Sequence, residues 1–358
     1  MAAAYLHRPV VQLPEHRVDL DQLTDWATTR YAGHRYLPAW LRIMAATTVR
    51  TRYWLRPAEL VLADEAFPQR EAATTGALVD LAATAARRAL DPAGLTPADV
   101  TTLVVSSAGW TLPGLDARLI GALGLPRSVY RITATQYGCA GGVWSLIAGA
   151  KTVRAEGGVA LVVTADPQSI HQEPAVPTSG AMVWRALIGD AAAATVITTH
   201  PPTTGPGMRY ESSWQDTAPD TIDLVGAYLE DAARPGAGVG VKLASDPALP
   251  GTLPKVLPLL VDWLKTTAPP GATPIPPWVA THTGGPKILD ALAAGLDQSP
   301  ADQAVARRRL SEIGNVAGPA AVDVVAERLA DPPPAGTNGL LFAVGPGFTS
   351  QAMRVTLC

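Results

Sequence analysis

Three side chains able to carry out nucleophilic and acid–base chemistry stand in chain order in this sequence: Cys139 in TQYGCAGGVWSL, His282 in VATHTGGPKIL and Asn315 in SEIGNVAGP. The first two are 143 residues apart and the last two 33. A thiol carries an acyl group once an imidazole takes its proton, and a carboxamide N–H holds an oxygen that gains charge. The three types together therefore suit covalent acyl transfer. Each has a plainer reading when taken singly. A lone cysteine is usually a small buried hydrophobe, and an asparagine before a helix is usually its cap. Cys358, the other cysteine and the last residue, suggests no chemistry.

The elements around these residues sharpen the reading. Ala140, Val143, Leu146, Ile147, Ala150 and Val153 recur at helical spacing, which puts Cys139 at the N-terminus of a buried helix. Unpaired N–H groups and the positive end of the helix dipole favour a thiolate there, so an apparent pKa below the ordinary ~8.5 is expected. His282 follows the apolar run PWVATHT and precedes a glycine pair, the place of a loop histidine facing a cavity. Strand-like runs recur at 101–107, 159–165, 193–199, 277–283 and 339–345, with helical patterns between them. That alternation predicts α/β layers, and strands apolar on both faces predict a sheet covered on both sides.

The order of elements also repeats. A strand (101–107) leads to GLDARLIGALGL, then to YGCAGGVWSLIAGAKTVRAEGG and the strand VALVVTA. PWVATHT leads in the same way to ILDALAAGLDQ, then to IGNVAGPAAVDVVAERLAD and the strand GLLFAVG. Gly138-Cys139 and Gly314-Asn315 thus stand at matching helix starts in a duplicated α/β unit. HPPTTGPG (200–207) is the best boundary between the halves, giving an N-terminal half 1–205 with the cysteine and a C-terminal half 206–358 with the histidine and asparagine. The Pro/Gly-rich stretches 234–240 and 267–277 read as further loops.

Composition excludes several classes. A chain of 358 residues, 47% hydrophobic and 16% charged, is ordinary for a soluble protein. Two cysteines cannot staple a fold of this size, no leader-like pattern opens the chain, and no apolar run approaches the roughly 18 residues of a membrane span, so a cytoplasmic protein that does not cross a membrane is expected. A net charge of −3 argues against nucleic acid as a general partner. No acid occurs between Asp25 and Glu59, yet Arg30, Arg35, Arg42, Arg50, Arg52 and Arg56 do. The segment reads either as a solvated helix face or as a site for the phosphates of a small molecule. The Cys–His–Asn order and its first spacing also fit papain-like proteases. Against that stand the mid-chain cysteine, the missing Cys-Gly-Ser-Cys-Trp run and an α/β pattern that continues through the His and Asn segments. GxSxG, HExxH and Walker A motifs are absent, and GAGVGV (236–241) lacks the third glycine of a dinucleotide fingerprint.

From about residue 20 to 355 the chain resembles the type III polyketide synthases, the chalcone- and stilbene-synthase-like branch of the thiolase-fold condensing enzymes. The resemblance rests on SSAGWTLPGLDARLIGALGL, TQYGCAGG, ALIGDAAAA, THTGGPKILDAL, LSEIGNVAG and LLFAVGPGFT, in the family's order. It implies a thiolase-like five-layer αβαβα fold with duplicated halves, assembled as a homodimer. It also implies that Cys139 takes an acyl group from coenzyme A, that His282 activates it, and that His282 and Asn315 stabilise the enolate formed when malonyl-CoA loses carbon dioxide. CoA thioesters are then the substrates, and no metal or redox cofactor is implied. For CoA binding the resemblance points to Arg42, although two basic positions of the family align with Ala39 and Ala46; Lys287, after the GGP turn, is a candidate helper, and Gly284 is placed with them. For the acyl pocket it points to Ile188, Leu243, Ile170 and Ala317.

The chain departs from the family pattern at Thr283, where a proline is usual, at Ala317-Gly318, where serines are usual, and at Gln351, where a glutamate is common. Ile188 and Leu243 replace two gating phenylalanines, so aliphatic acyl-CoA starters are expected over aromatic ones. Two rival readings stay open: a ketosynthase III-like acyltransferase or single-condensation enzyme served by an acyl carrier protein, and a catalytically silent dimer partner.

Overall fold

The structure is a computed structural model and describes residues 2–175, 177–231, 239–246, 248–299 and 301–358. Two short strands open the chain, β1 (Tyr5–His7) and β2 (Val10–Gln12). A ribbon of β3 (His16–Asp19) and β4 (Thr51–Trp54) then brackets α1 (Leu20–Arg30) and α2 (Leu37–Ala46). The single turn α3 (Ala58–Val61) and the long α4 (Phe67–Leu90) lead into an alternating run. It comprises β5 (Thr102–Ser107), α5 (Leu115–Leu123), β6 (Tyr130–Thr135), α6 (Gly141–Glu156), β7 (Ala160–Asp166), α7 (Ser179–Leu187) and β8 (Ala191–Thr198).

After β9 (Gly207–Thr217), the hairpin of β10 (Val225–Asp231) and β11 (Val239–Ser245), and α8 (Leu253–Thr267), much of that order returns. The second run is β12 (Trp278–Thr281), α9 (Pro286–Gly295), α10 (Ala304–Ile313), α11 (Gly318–Arg328), β13 (Asn338–Gly345) and β14 (Thr349–Leu357). Each run has a parallel pair, β5–β7 or β12–β13, whose second strand pairs antiparallel with the next, β8 or β14. The repeat differs at two points: α10 occupies the place in the order that β6 has in the first half, and only the turn Pro346–Phe348 stands between β13 and β14 where α7 stands between β7 and β8.

The ladder runs β12-β13-β14-β9-β1-β8-β7-β5-β6, with β2 also on β8. β1 bonds β8 on one side and β9 on the other and so joins the two halves. Alternation along each strand assigns the layers. Val104, Val162, Ala193, Leu341, Ala343 and Met353 face a central core with Val143, Leu146 and Ile147 of α6 and Val322 and Val325 of α11. Their neighbours Leu103, Val105, Leu161 and Val163 face α4 and α5, while Leu340, Phe342 and Val344 face α8 and α9. Helices, strands, helices, strands and helices therefore stack as five layers. Each Val, Leu or Phe withdrawn from water contributes about 1.5–3 kcal/mol.

α6 and α11 form the middle layer, and they approach closely because both begin with glycine. A Cβ on Gly142 would collide with the Gly318 carbonyl. Gly142→Ala is therefore expected to cost about 1–3 kcal/mol as the helices separate. The check is a lowered urea midpoint with an unchanged m-value, and an unmoved midpoint would show that the contact carries no strain. No helix among the described residues is long and apolar enough to cross a membrane.

Candidate active site

Cys139 lies in the short 3-10 turn Gly138–Ala140 between β6 and α6. The turn requires glycine at 138, where φ is +51° and a Cβ would stand 2.7 Å from Cδ of Pro346. Pro346 belongs to the turn Pro346–Phe348 that follows β13, so the GPGF segment packs beneath the turn that carries Cys139.

Asn315 is held on both sides of its backbone. Its N–H donates to the Leu187 carbonyl at 2.8 Å and its carbonyl accepts from Gly189 N–H at 3.0 Å, around a parallel bridge to Ile188. Its side chain is fixed as well, because Ala317 N–H donates to Oδ1 at 2.9 Å. Both ends of the amide meet the thiol: Nδ2 donates to Cys139 Sγ at 3.4 Å, and Sγ–H donates to Oδ1 at 3.6 Å. Ala317 supplies that N–H from φ +57°, a conformation costly for a residue with a Cβ, so the surroundings enforce it.

His282 ends β12, with its N–H on the Phe342 carbonyl at 3.3 Å. The next residue, Thr283, donates from Oγ1 to the Gly314 carbonyl at 3.1 Å, which ties the histidine's segment to the asparagine's. The ring is 2% exposed, its Nδ1 has no hydrogen-bond partner, and neither nitrogen is bonded to Cys139 or Asn315. Gly284 leaves room for the ring: a Cβ there would stand 2.5 Å from Nε2.

The electrostatics correct the expectation of a stabilised thiolate. Cys139 keeps some accessible surface as a residue, but burial of its thiol pushes the pKa up to about 11, with the Asn315 hydrogen bond only partly offsetting this and Asp166 adding to it. Burial alone pulls His282 down to about 4. The substrate-free pair is thus neutral thiol and neutral imidazole, because desolvation outweighs what the helix start and hydrogen bonds return. Thiolate then forms only as pH rises, so alkylation of Cys139 in the substrate-free protein is expected to have a midpoint above the ordinary ~8.5. A midpoint below that value would show that the imidazole captures the proton without substrate.

Two carboxylates that sequence reasoning missed hold this arrangement. Asp166, at the end of β7, accepts Ala108 N–H at 2.6 Å and Gly318 N–H at 2.7 Å, which links the two halves beneath the site. Burial raises it to about 7. Asp190 accepts Leu55 N–H at 2.8 Å and both the N–H and Oγ of Ser169, at 2.7 and 2.6 Å. Burial raises it to about 6. The available signal was an acid set directly against an apolar strand, in VALVVTAD and ALIGDAAAA.

The remaining expected residues fall as follows. Ile188 and Ile170 are buried, the first on the Asn315 bridge and the second beside Phe67, Val241 and Trp110. Leu243 lies in β11, but its side chain is outside the described residues, as are 236–238 of the GAGVGV stretch. Arg42 is exposed on α2 and Lys287 on α9. The six-arginine segment is not one free basic face. Arg30 pairs with Asp64 and Arg56 with Glu65, while Arg52 is fully buried, with Nη2 on the Val49 carbonyl. Arg35, Arg42 and Arg50 remain exposed.

Residues 15–201 match the family model of chalcone and stilbene synthases, N-terminal domain. The chain is 30% identical over 357 residues to a 1,3,6,8-tetrahydroxynaphthalene synthase of Streptomyces griseus, covering 97% of this chain and 91% of that protein. It is 27% identical to a phloroglucinol synthase of Pseudomonas fluorescens, with 96% of each covered. Among solved structures it superposes on the 1,3,6,8-tetrahydroxynaphthalene synthase of Streptomyces coelicolor A3(2) with TM-score 0.90, 27% identity and 98% of each chain covered. On germicidin synthase from Streptomyces coelicolor the TM-score is 0.89, at 26% identity with full coverage of both chains.

Proposed function

The chain belongs to the chalcone and stilbene synthase family and is a type III polyketide synthase, an acyltransferase; on that premise we propose that Cys139, His282 and Asn315 carry its condensation chemistry. Sγ of Cys139 attacks the carbonyl of an acyl-CoA starter while its proton passes to His282. The bond from that carbonyl to the CoA sulfur breaks, CoA leaves as the thiol with the proton, and the acyl group stays on Cys139. Malonyl-CoA then loses carbon dioxide. The electron pair of the broken C–C bond becomes an enolate, whose oxygen is held by Asn315 Nδ2–H and the His282 ring. The enolate carbon attacks the Cys139 thioester, a new C–C bond forms, and the chain returns to CoA one acetyl unit longer as the cysteine sulfur is released. The steps balance with CoA thioesters alone and call for no metal or redox cofactor.

The observation that carries this reading is the fixed amide of Asn315: Ala317 N–H holds its oxygen, and both that oxygen and the Nδ2 donor lie within hydrogen-bond reach of the Cys139 sulfur. Arg42 and Lys287, exposed and without ion pairs among the described residues, suit the CoA phosphates. β6 is an outer strand of the ladder, and much of it is exposed, which suits pairing with a second copy in a homodimer. Intact-protein mass spectrometry with an acyl-CoA panel, with and without malonyl-CoA, tests the proposal. An acyl adduct on Cys139 that malonyl-CoA converts to released product is expected. No adduct from any CoA thioester, with loading from a carrier-protein thioester instead, would overturn CoA as the donor.

A further inference from the structure

The two side chains that share the enolate in this scheme are anchored separately. His282 ends β12 and is held from β13, through its N–H on the Phe342 carbonyl at 3.3 Å. Asn315 follows α10 and is held from the end of α7, by the Leu187 carbonyl and the Gly189 N–H. Neither anchor fixes one group against the other, and the His282 ring makes no hydrogen bond to the Asn315 amide. Among the described residues one hydrogen bond joins the two segments directly: Thr283 Oγ1 donates to the Gly314 carbonyl at 3.1 Å.

That bond lies between the immediate neighbours of the two groups, for Thr283 follows His282 and Gly314 precedes Asn315. The Gly314 carbonyl and the Asn315 N–H belong to one planar peptide unit. Its N–H donates to the Leu187 carbonyl at 2.8 Å, so the unit is gripped at both ends and its orientation sets where the Asn315 amide stands. Gly314 sits at φ +74° just past the C-terminus of α10, where carbonyls lie beyond the helix's own bonding. Gly314 and Thr283 are both buried, the second 1% exposed, so removing the hydroxyl leaves a buried acceptor without its donor. Threonine suits the task because its branched Cβ restricts χ1 and keeps the hydroxyl aimed. The proline usual at this position in the family has no group that could make the bond, so the tie belongs to this chain.

We propose that Thr283 is a positioning residue for decarboxylation: its hydroxyl sets the spacing between the His282 ring and the Asn315 amide so that both reach one enolate oxygen. This rests on the polyketide synthase reading, in which those two groups act together on malonyl-CoA. Acyl loading uses Cys139 and His282, and the anchor of His282 on Phe342 does not depend on the side chain at 283. The effect of losing the hydroxyl therefore falls on the step that needs the pair.

The test measures two half-reactions in the wild type, Thr283→Val and Thr283→Ser. One is acetyl-CoA release from malonyl-CoA; the other is Cys139 acylation, followed by intact mass, with the best-loading member of a series from acetyl-CoA to dodecanoyl-CoA. Valine keeps the branched shape without the donor, and serine keeps the donor. In Thr283→Val the kcat for decarboxylation should fall about tenfold or more, with KM for malonyl-CoA and the acylation rate within about twofold of the wild type. Thr283→Ser should recover most of the loss. Thr283→Ala, smaller and equally without the donor, should repeat the valine result and shows that it is not strain from the larger side chain. Undiminished decarboxylation in Thr283→Val and Thr283→Ala, an equal loss of both half-reactions, or no recovery in Thr283→Ser would overturn the inference alone. A wild type that takes no acyl group from the series, or releases no acetyl-CoA from malonyl-CoA, would overturn the underlying reading and the inference with it.

Discussion

Cys139→Ala is expected to abolish the acyl-enzyme and to lower product formation at least about a thousandfold, because no other group in the site can hold the growing chain. The fold should survive. Cys139 sits in a short turn between Gly138 and Ala140, and among the described residues its side-chain partner in hydrogen bonding is Asn315. The variant is therefore read by intact mass after incubation with acyl-CoA, beside a thermal melt of the same sample. Undiminished acylation of a folded Cys139→Ala protein would remove Cys139 as the nucleophile. The same variant should still decarboxylate malonyl-CoA, since the proposed enolate donors remain, and this residual reaction separates loss of the thioester from loss of the site.

Asn315→Ala is expected to show the opposite pattern, with Cys139 loading retained and malonyl-CoA decarboxylation reduced about 10²–10³-fold, the usual scale for one oxyanion donor. The backbone bonds of residue 315 to Leu187 and Gly189 do not depend on its side chain, so the loop should hold. The substitution leaves Ala317 N–H without its acceptor, a penalty of about 1–3 kcal/mol. Asn315→Asp distinguishes the two effects: it restores an acceptor for Ala317 but has no N–H for an enolate. Acetyl-CoA release from malonyl-CoA, measured beside acyl loading, decides the matter. Equal loss of both steps in both variants would make Asn315 a structural residue.

Much of the scaffold was legible because it rests on local patterns. Alternate residues of β7 and β13 are apolar on both faces, which requires helices on both sides of the ladder. The helical spacing after residue 140 places Cys139 at a helix start, where it lies. The matched order of the two halves likewise follows from recurring strand and helix patterns, and it fails where α10 stands in the place of β6 and where α7 has no counterpart between β13 and β14. The positive φ of Gly138 is a local need of its turn in the same way, whereas the packing of Pro346 against that turn joins distant segments and is not local.

What only the tertiary structure decided involves groups far apart in the chain or the removal of water. Cys139 meets Asn315 across 176 residues, and Asp166 accepts from Gly318 across 152, contacts that no local spacing encodes. Arg30 and Arg56 find carboxylates and Arg52 is buried, while Arg35, Arg42 and Arg50 stay exposed, so the run of arginines is split between paired or buried side chains and free ones. The thiol follows the same logic. From the sequence, a helix start lowers its pKa, because the neighbouring N–H groups are local; in the folded protein desolvation by the surrounding layers raises it to about 11. Periodicity and turn chemistry act over a few residues and are therefore written in the chain itself, whereas pairing and desolvation depend on which distant groups the packed layers bring together and how much water they exclude.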